Sequence, residues 1–132
     1  MRQFFDSNVV LYLLSDNQTK ANRCEEIVEQ GGVISVQVLN ECVNVMLKKL
    51  KMARPEVDEF LAVIKSISDI VPQSIEVHEG ALELLDRYQL SWYDALIVSA
   101  AIESDCETLW SEDLNNGLVV NKTLTIRNPF DR

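Results

Sequence analysis

The sequence predicts an α/β fold of three layers, in which a short central parallel sheet is flanked by helices. Short apolar runs alternate with helical patterns along the chain, and the segments joining the runs are too long for β-hairpins. The length of 132 residues suits one domain with a hydrophobic core, so we expect a single domain over residues 1–132. Apolar residues make up 47% and charged residues 25% of the chain, which is typical of globular proteins.

Short apolar runs that end in turn-forming residues are predicted to be the strands. They cover residues 4–5, 33–34, 70–71, 108–110 and 124–126. The first and fourth are followed by acidic turn segments that contain Asp6 and Asp113. Sites in open α/β sheets lie beyond the carboxyl ends of the strands, so these two aspartates mark the expected site.

Helices are predicted between the strands from apolar periodicity and from capping residues. The predicted ranges are 9–14, 20–30, 36–51, a helix opening at Pro55, 77–88 and 92–103. Ser35 and Ser91 stand where they would cap the helices that follow them. The centre of the last helix is apolar on all sides, which indicates that it lies in the protein interior.

Composition narrows the chemistry that this chain can perform. His78 is the one histidine of the sequence, so RNA cleavage by a pair of imidazoles is excluded. Cys24, Cys42 and Cys106 are widely spaced, which favours buried thiols over disulfides or a zinc site. No nucleophile elbow or phosphate-binding loop occurs either. The expected chemistry therefore depends on carboxylates.

The net charge of −9 argues against binding nucleic acid through a basic surface. Divalent cations held in a carboxylate cluster would supply positive charge where a phosphate binds. The sequence has no run of about 18 apolar residues, and Asp6 interrupts the N-terminal apolar stretch. We therefore expect a cytoplasmic protein that does not interact with membranes.

Asp6, Glu41, Asp94 and Asp113 are the candidate catalytic and metal-binding residues. Each has a simpler explanation when taken alone: turn formation, a surface position, the first turn of a helix, or helix capping. Carboxylates gathered at one end of a sheet repel one another, however, and a bound cation relieves that repulsion. Mg²⁺ or Mn²⁺, which prefer oxygen ligands, are the expected cofactors.

Four segments resemble the PIN-domain nucleases, and within that superfamily the VapC toxins of bacterial toxin–antitoxin pairs. They are residues 5–9 (FDSNV), 39–41 (LNE), 91–97 (SWYDALI) and 109–114 (LWSEDL). The resemblance covers essentially the whole chain in order. The DALI helix followed by SEDL is its most specific part.

The resemblance implies a role for each matching residue. Asp6, Glu41, Asp94 and Asp113 match the four acids that ligate the metal. Asn8 matches the polar residue that supports the first aspartate, and Ser111 matches a hydrogen-bonding position in the acidic pocket. Asn115 and Asn116 stand where some relatives carry a further aspartate, so a fifth acidic ligand is not expected.

The resemblance also implies an activity and partners. PIN nucleases hydrolyse RNA with Mg²⁺ or Mn²⁺, and a water activated by the metal attacks the phosphorus and leaves a 5′-phosphate and a 3′-hydroxyl. VapC toxins form homodimers and are silenced by a small VapB-type antitoxin. RNA, a second copy of the chain and an antitoxin are therefore the expected partners.

Substrate contacts are predicted less directly. Lys48, Lys49 and Lys51 form the densest basic run, which is either a strip that guides phosphates or a solvated helix C-terminus. Tyr12, Trp92 and Trp110 could stack on bases, but each flanks an apolar segment, which favours packing.

Two alternatives to a nuclease remain open at this point. A receiver-like regulatory domain would share the length and acidity, but Asp6 is followed by Ser7 and Asn8 instead of by a second acid. A non-catalytic PIN-like module would keep the acids without cleaving RNA. Contact with DNA would require a complex with an antitoxin, since this chain is strongly acidic.

Overall fold

The strands of the chain form one six-stranded sheet in a computed structural model that describes residues 2–131. The strands are β1 Gln3–Phe5, β2 Gly32–Ser35, β3 Ser68–Val71, β4 Thr108–Trp110, β5 Val119–Val120 and β6 Leu124–Arg127. Their order is β3-β2-β1-β4-β6-β5, and all neighbours are parallel except β5, which runs antiparallel to β6. The predicted α/β fold with a mostly parallel sheet is confirmed.

Helices connect the strands and flank the sheet. They are α1 Ser7–Leu11, which continues into a 3-10 helix over Tyr12–Leu14, α2 Gln18–Val28, α3 Val36–Lys48, α4 Arg54–Ile67, α5 Ile75–Tyr88 and α6 Trp92–Glu103. The predicted end of α3 at Lys51 is wrong by one turn, because Lys51 has a positive φ of 54°. None of the helices in the described part of the chain is long and apolar enough to cross a membrane.

The connection order creates a crevice between β1 and β4. From β1 the chain moves outward to β2 and β3, and then returns to β4 on the other side of β1. Because parallel crossovers are right-handed, this reversal directs the helices of the two halves to opposite faces of the sheet. Ligand sites of doubly wound sheets lie at such reversals, beyond the carboxyl ends of the strands.

Helix α6 and the inner strands form the core, as predicted. Residues 95–101 of α6 are all buried. Phe4, Phe5 and Ile34 have no exposed surface, and Val33 is also buried. Gly32 is required where β2 passes β1, because a Cβ atom there would lie 2.6 Å from the Phe5 ring. This close approach lies at the first residue of β2, where the strand passes β1.

Strand β5 was not predicted. It has only two residues, and it pairs with β6 through a hairpin in which Asn121 and Lys122 both have positive φ angles. Asparagine tolerates this backbone conformation, but lysine gives no sequence signal for such a turn.

All three cysteines are free and buried, as predicted, and burial raises the pKa of the Cys24 thiol to about 11.

Candidate active site

Asp6 and Ser111 meet because β1 and β4 are paired in parallel. Phe5 lies opposite Trp110 in the ladder, so the residues that follow each strand emerge together. The Asp6 backbone N–H donates to the Trp110 carbonyl at 3.0 Å. The Ser111 hydroxyl then donates a hydrogen bond to Oδ2 of Asp6 at 2.8 Å. These contacts hold the Asp6 carboxylate at the centre of the crevice.

Asn8 joins both aspartates at the strand ends. Its side-chain amide donates to Oδ2 of Asp6 at 3.3 Å and to Oδ2 of Asp113 at 3.1 Å. Its Oδ1 accepts a hydrogen bond from the backbone N–H of Glu112 at 3.1 Å. The Ser111 Oγ accepts from the Asp113 backbone N–H at 3.2 Å. Asp6, Asn8, Ser111 and Asp113 thus form one hydrogen-bonded group.

The Asp6 carboxylate lies in a buried environment that disfavours its negative charge. It is 7% exposed, and burial is the main cause that raises its pKa from 3.8 to about 6. Hydrogen bonds from Ser111 and from the Ser7 backbone lower this pKa, and the charges of Glu41 and Asp94 raise it further. Glu41 and Asp94 are the two acids whose charges act on the Asp6 carboxylate.

Glu41 lies in α3. Ser35 caps this helix by accepting a hydrogen bond from the Val38 backbone N–H at 3.3 Å, which sets where α3 begins. Oε1 of Glu41 is buried and has no hydrogen-bond partner among the described residues. The neighbouring Cys42 has its pKa raised to about 12, first by burial and then by the charges of Glu41 and Asp6.

Asp94 lies in the first turn of α6. The Ser91 hydroxyl accepts a hydrogen bond from the Asp94 backbone N–H at 3.2 Å, as expected of a cap. Gln37, near the start of α3, donates to the carbonyl of Tyr93 at 3.3 Å. The starts of the two helices are therefore tied together. Tyr93, which precedes Asp94 in the chain, is 66% exposed, and this aromatic residue was not singled out from the sequence.

The carboxylate oxygens of the four predicted acids are the type of ligand that a hard cation prefers, although these acids are not arranged as a complete metal site. Within residues 2–131, no three His, Cys, Asp or Glu side chains stand in an arrangement that would hold a metal ion. A cation would nevertheless give the unpaired buried oxygen of Glu41 a partner, and its positive charge would lower the raised pKa of Asp6. Carboxylate oxygens are the preferred ligands of Mg²⁺ and Mn²⁺.

Of the predicted basic strip, only Lys49 lines a groove together with a residue of the hydrogen-bonded group. Lys48, Lys49 and Lys51 are all exposed. Lys49 alone among them lines a groove of about 500 Å³ that also contacts Asn8 and Glu112. Lys49 therefore shares a groove with Asn8, which donates hydrogen bonds to both aspartates, while Lys48 and Lys51 do not line this groove.

The other aromatic residues and the histidine take part in packing or polar contacts. The Trp110 indole donates to Oε1 of Gln3 at 2.7 Å, and the rings of His78 and Trp92 pack edge to face at 5.3 Å. The Tyr12 hydroxyl donates to Glu112, a contact that nothing in the local sequence indicated.

The PIN domain profile matches residues 4–115 of the sequence. The chain belongs to the PIN domain family. No curated protein is similar enough in sequence to count as a relative.

Solved structures share the fold of this PIN domain over nearly its whole length. A toxin–antitoxin complex from Klebsiella pneumoniae has a TM-score of 0.72 at 20% identity, with 98% of this chain and 99% of that chain covered. VapBC2 from Rickettsia felis, bound to a DNA fragment from its promoter, has a TM-score of 0.70 at 21% identity, with 97% and 98% covered.

A third similar structure is also a toxin. Mycobacterium tuberculosis VapC20, a Sarcin-Ricin loop cleaving toxin, has a TM-score of 0.65 at 13% identity, with 81% of this chain and 86% of that chain covered. Identities this low establish a common fold between these proteins and the present chain.

Proposed function

We propose that this PIN domain is a Mg²⁺- or Mn²⁺-dependent endoribonuclease and the toxin of a VapBC-type toxin–antitoxin pair. The observation that carries the proposal is the Asp6 carboxylate, which is buried at the reversal of the sheet and has its pKa raised to about 6 by burial and by the charges of Glu41 and Asp94. A buried carboxylate that experiences the charges of two further acids lowers the stability of the folded protein. Binding of a cation for catalysis explains why the protein keeps such a group.

Asp6, Glu41, Asp94 and Asp113 would hold the ion. When bound, a divalent ion activates water and stabilises the charge that develops on a phosphodiester during hydrolysis. The residues of this chain keep the ligands oriented: Ser111 donates to Asp6, and Asn8 bridges Asp6 and Asp113. A cation in contact with Asp6 favours the ionised carboxylate, so metal binding would release a proton below about pH 6.

RNA is the proposed substrate, and the charge of the chain explains why a cation is needed. With a net charge of −9 and several acids around the crevice, the protein without metal repels phosphates. Lys49, which lines a groove together with Asn8, is the proposed phosphate contact. The RNA-cleaving toxin VapC20, which shares the fold, supports this choice of substrate.

A small VapB-type antitoxin and a second copy of the chain are the proposed partners. The toxin–antitoxin complexes from Klebsiella pneumoniae and Rickettsia felis support the first of these. Co-expression with a candidate antitoxin should give a stable complex in which ribonuclease activity is lost. Light scattering after size exclusion should give twice the 15.0 kDa mass of the chain, and a monomer at micromolar concentration would contradict the homodimer.

The test of the activity is cleavage of RNA by the purified protein. We expect cleavage with Mn²⁺ or Mg²⁺, loss of cleavage with EDTA, and fragments that carry 5′-phosphates. Asp6→Asn should abolish it, while Asp58→Asn, on the exposed Asp58 of α4 that pairs with Arg54, should leave it unchanged. Metal-independent cleavage, or full activity in Asp6→Asn, would contradict the proposal.

A non-catalytic PIN-like module is the second candidate. It is favoured by the absence, within residues 2–131, of a closed set of three ligands. This candidate predicts that the purified protein cleaves no RNA with Mn²⁺ or Mg²⁺, so the same assay separates the two.

A further inference from the structure

A second cluster of side chains forms around Glu112, outside the hydrogen-bonded group of Asp6, Asn8, Ser111 and Asp113. The Tyr12 hydroxyl donates a hydrogen bond to Oε2 of Glu112, and the Lys20 ammonium lies 3.2 Å from Oε1. Tyr12 belongs to the 3-10 helix after α1, and Lys20 belongs to α2. Both oxygens of one carboxylate are therefore held by two different elements.

Two aromatic rings hold the Lys20 ammonium in place. Nζ lies 4.7 Å from the ring centroid of Phe130 and 5.3 Å from that of Tyr12. The two rings pack edge to face with their centroids 4.9 Å apart. A cation near aromatic rings in this way is attracted by their π electrons. Its position beside Glu112 is thus stabilised from two sides.

The C-terminal segment supplies one of these rings. Phe130 lies beyond residue 115, where the match to the PIN domain profile ends. The segment is tied to α2 because Arg23 donates a hydrogen bond to the Pro129 carbonyl at 2.7 Å. A part of the chain outside the matched region therefore contributes to the surroundings of Glu112.

Glu112 is also connected to the acids through its backbone. It stands between Ser111 and Asp113, and its N–H donates to Oδ1 of Asn8 at 3.1 Å. The amide of the same Asn8 side chain donates to Asp6 and Asp113. A shift of Glu112 would move both neighbours and would break the hydrogen bond that orients Asn8.

We propose that Glu112 is a positioning residue, which Tyr12 and Lys20 hold so that Ser111 and Asp113 face Asp6 in the geometry required for a divalent cation. The proposal rests on the metal-dependent function proposed above. Groups that orient metal ligands without touching the metal strongly affect affinity. Hydrogen bonding to Glu112 also raises the pKa of Tyr12 and of Lys20, which is consistent with a bonded cluster.

The variants remove one contact of the cluster at a time. Tyr12→Phe deletes the hydroxyl, Lys20→Met deletes the ammonium, and Glu112→Gln deletes the negative charge. The double variant Tyr12→Phe with Glu112→Gln tests whether the two residues act together. Tyr88→Phe and Lys65→Met are matched controls, because they make the same chemical changes on α5 and α4.

Two measurements without RNA report on positioning. Calorimetry should show that each variant of Tyr12, Lys20 or Glu112 binds Mn²⁺ about tenfold more weakly, with the double variant no weaker than its worse parent. Amide hydrogen exchange should be about tenfold faster at Glu112 and Asp113 in these variants. The controls should match the wild type in both measurements.

Two results would overturn the proposal. The first is unchanged Mn²⁺ affinity with a raised KM for RNA in Lys20→Met, which would make Lys20 a direct substrate contact. The second is unchanged exchange at Glu112 and Asp113. The exchange measurement needs neither metal nor RNA, so it decides the positioning role even if the wild type shows no nuclease activity.

Discussion

The stability of this protein should depend on the ionisation of Asp6, and Asp6→Asn should make the protein more stable at neutral pH. Burial raises the pKa of Asp6 from 3.8 to about 6, so the folded state binds a proton that the unfolded state has lost between these values. The free energy of unfolding therefore falls as pH rises through this window and is level above it. At 1.36 kcal/mol per pKa unit, the full decrease is about 3 kcal/mol.

Asparagine has the shape of aspartic acid without its charge. At pH 7.5 the substitution removes the penalty of about 3 kcal/mol but weakens the hydrogen bonds from Ser7 and Ser111, at roughly 1 kcal/mol or less each. A net gain of about 1–2 kcal/mol follows. Below about pH 4, where Asp6 is protonated in both states, the gain should vanish and a small loss should remain.

The assay is urea unfolding in EDTA between pH 4 and pH 8, followed by the fluorescence of Trp92 and Trp110. Asp58→Asn, on the exposed surface of α4, is the matched control and should follow the wild type at every pH. The reasoning is refuted if Asp6→Asn is no more stable than the wild type at pH 7.5. It is also refuted if the gain does not depend on pH.

Three further predictions follow from named contacts. Gly32→Ala should destabilise the protein by about 2–4 kcal/mol in urea unfolding, because the new Cβ would lie 2.6 Å from the Phe5 ring; a change below about 0.5 kcal/mol would contradict the close contact. Ser91→Ala should cost about 1 kcal/mol through the lost cap of α6 and should weaken Mn²⁺ binding, measured by calorimetry; full Mn²⁺ affinity would show that the cap does not orient the start of α6. Lys49→Ala should raise KM for RNA about fivefold and reduce its salt dependence without changing kcat, whereas Lys65→Ala should change neither; equal effects of the two would argue against a local phosphate contact.

The residues at the strand ends were predictable because their positions follow from local signals. A strand that ends in an acidic turn places that turn at the edge of the sheet; Asp6 directly follows β1, and Asp113 lies in the turn after β4. Asn8 and Ser111 were predicted as supporting residues from the family resemblance. The structure joins all four through direct hydrogen bonds.

Glu41 and Asp94 could be assigned to the site only by resemblance. Each lies in a helix, and a helical pattern does not tell which end of which helix approaches a given strand. Ser35 and Ser91 define where the two helices begin. A hydrogen bond from Gln37 to the Tyr93 carbonyl ties the starts of α3 and α6 together, and the charges of Glu41 and Asp94 raise the pKa of Asp6.

The contacts of Glu112 and the strand β5 could not be predicted. Tyr12 and Lys20 are 100 and 92 residues from Glu112 along the chain, and no local pattern relates them. Strand β5 is two residues long, which is too short for an alternating pattern to appear.

The sequence by itself determined the α/β class, the capped helices and the buried α6, and it predicted carboxylates as the reactive groups. These follow from periodicity and residue type, which act over a few neighbouring residues. Only the tertiary structure decided that β1 pairs with β4, that Asp6 meets a serine 105 residues away, and that its pKa rises to about 6. Burial and through-space distance set these properties, and both depend on how the whole chain packs.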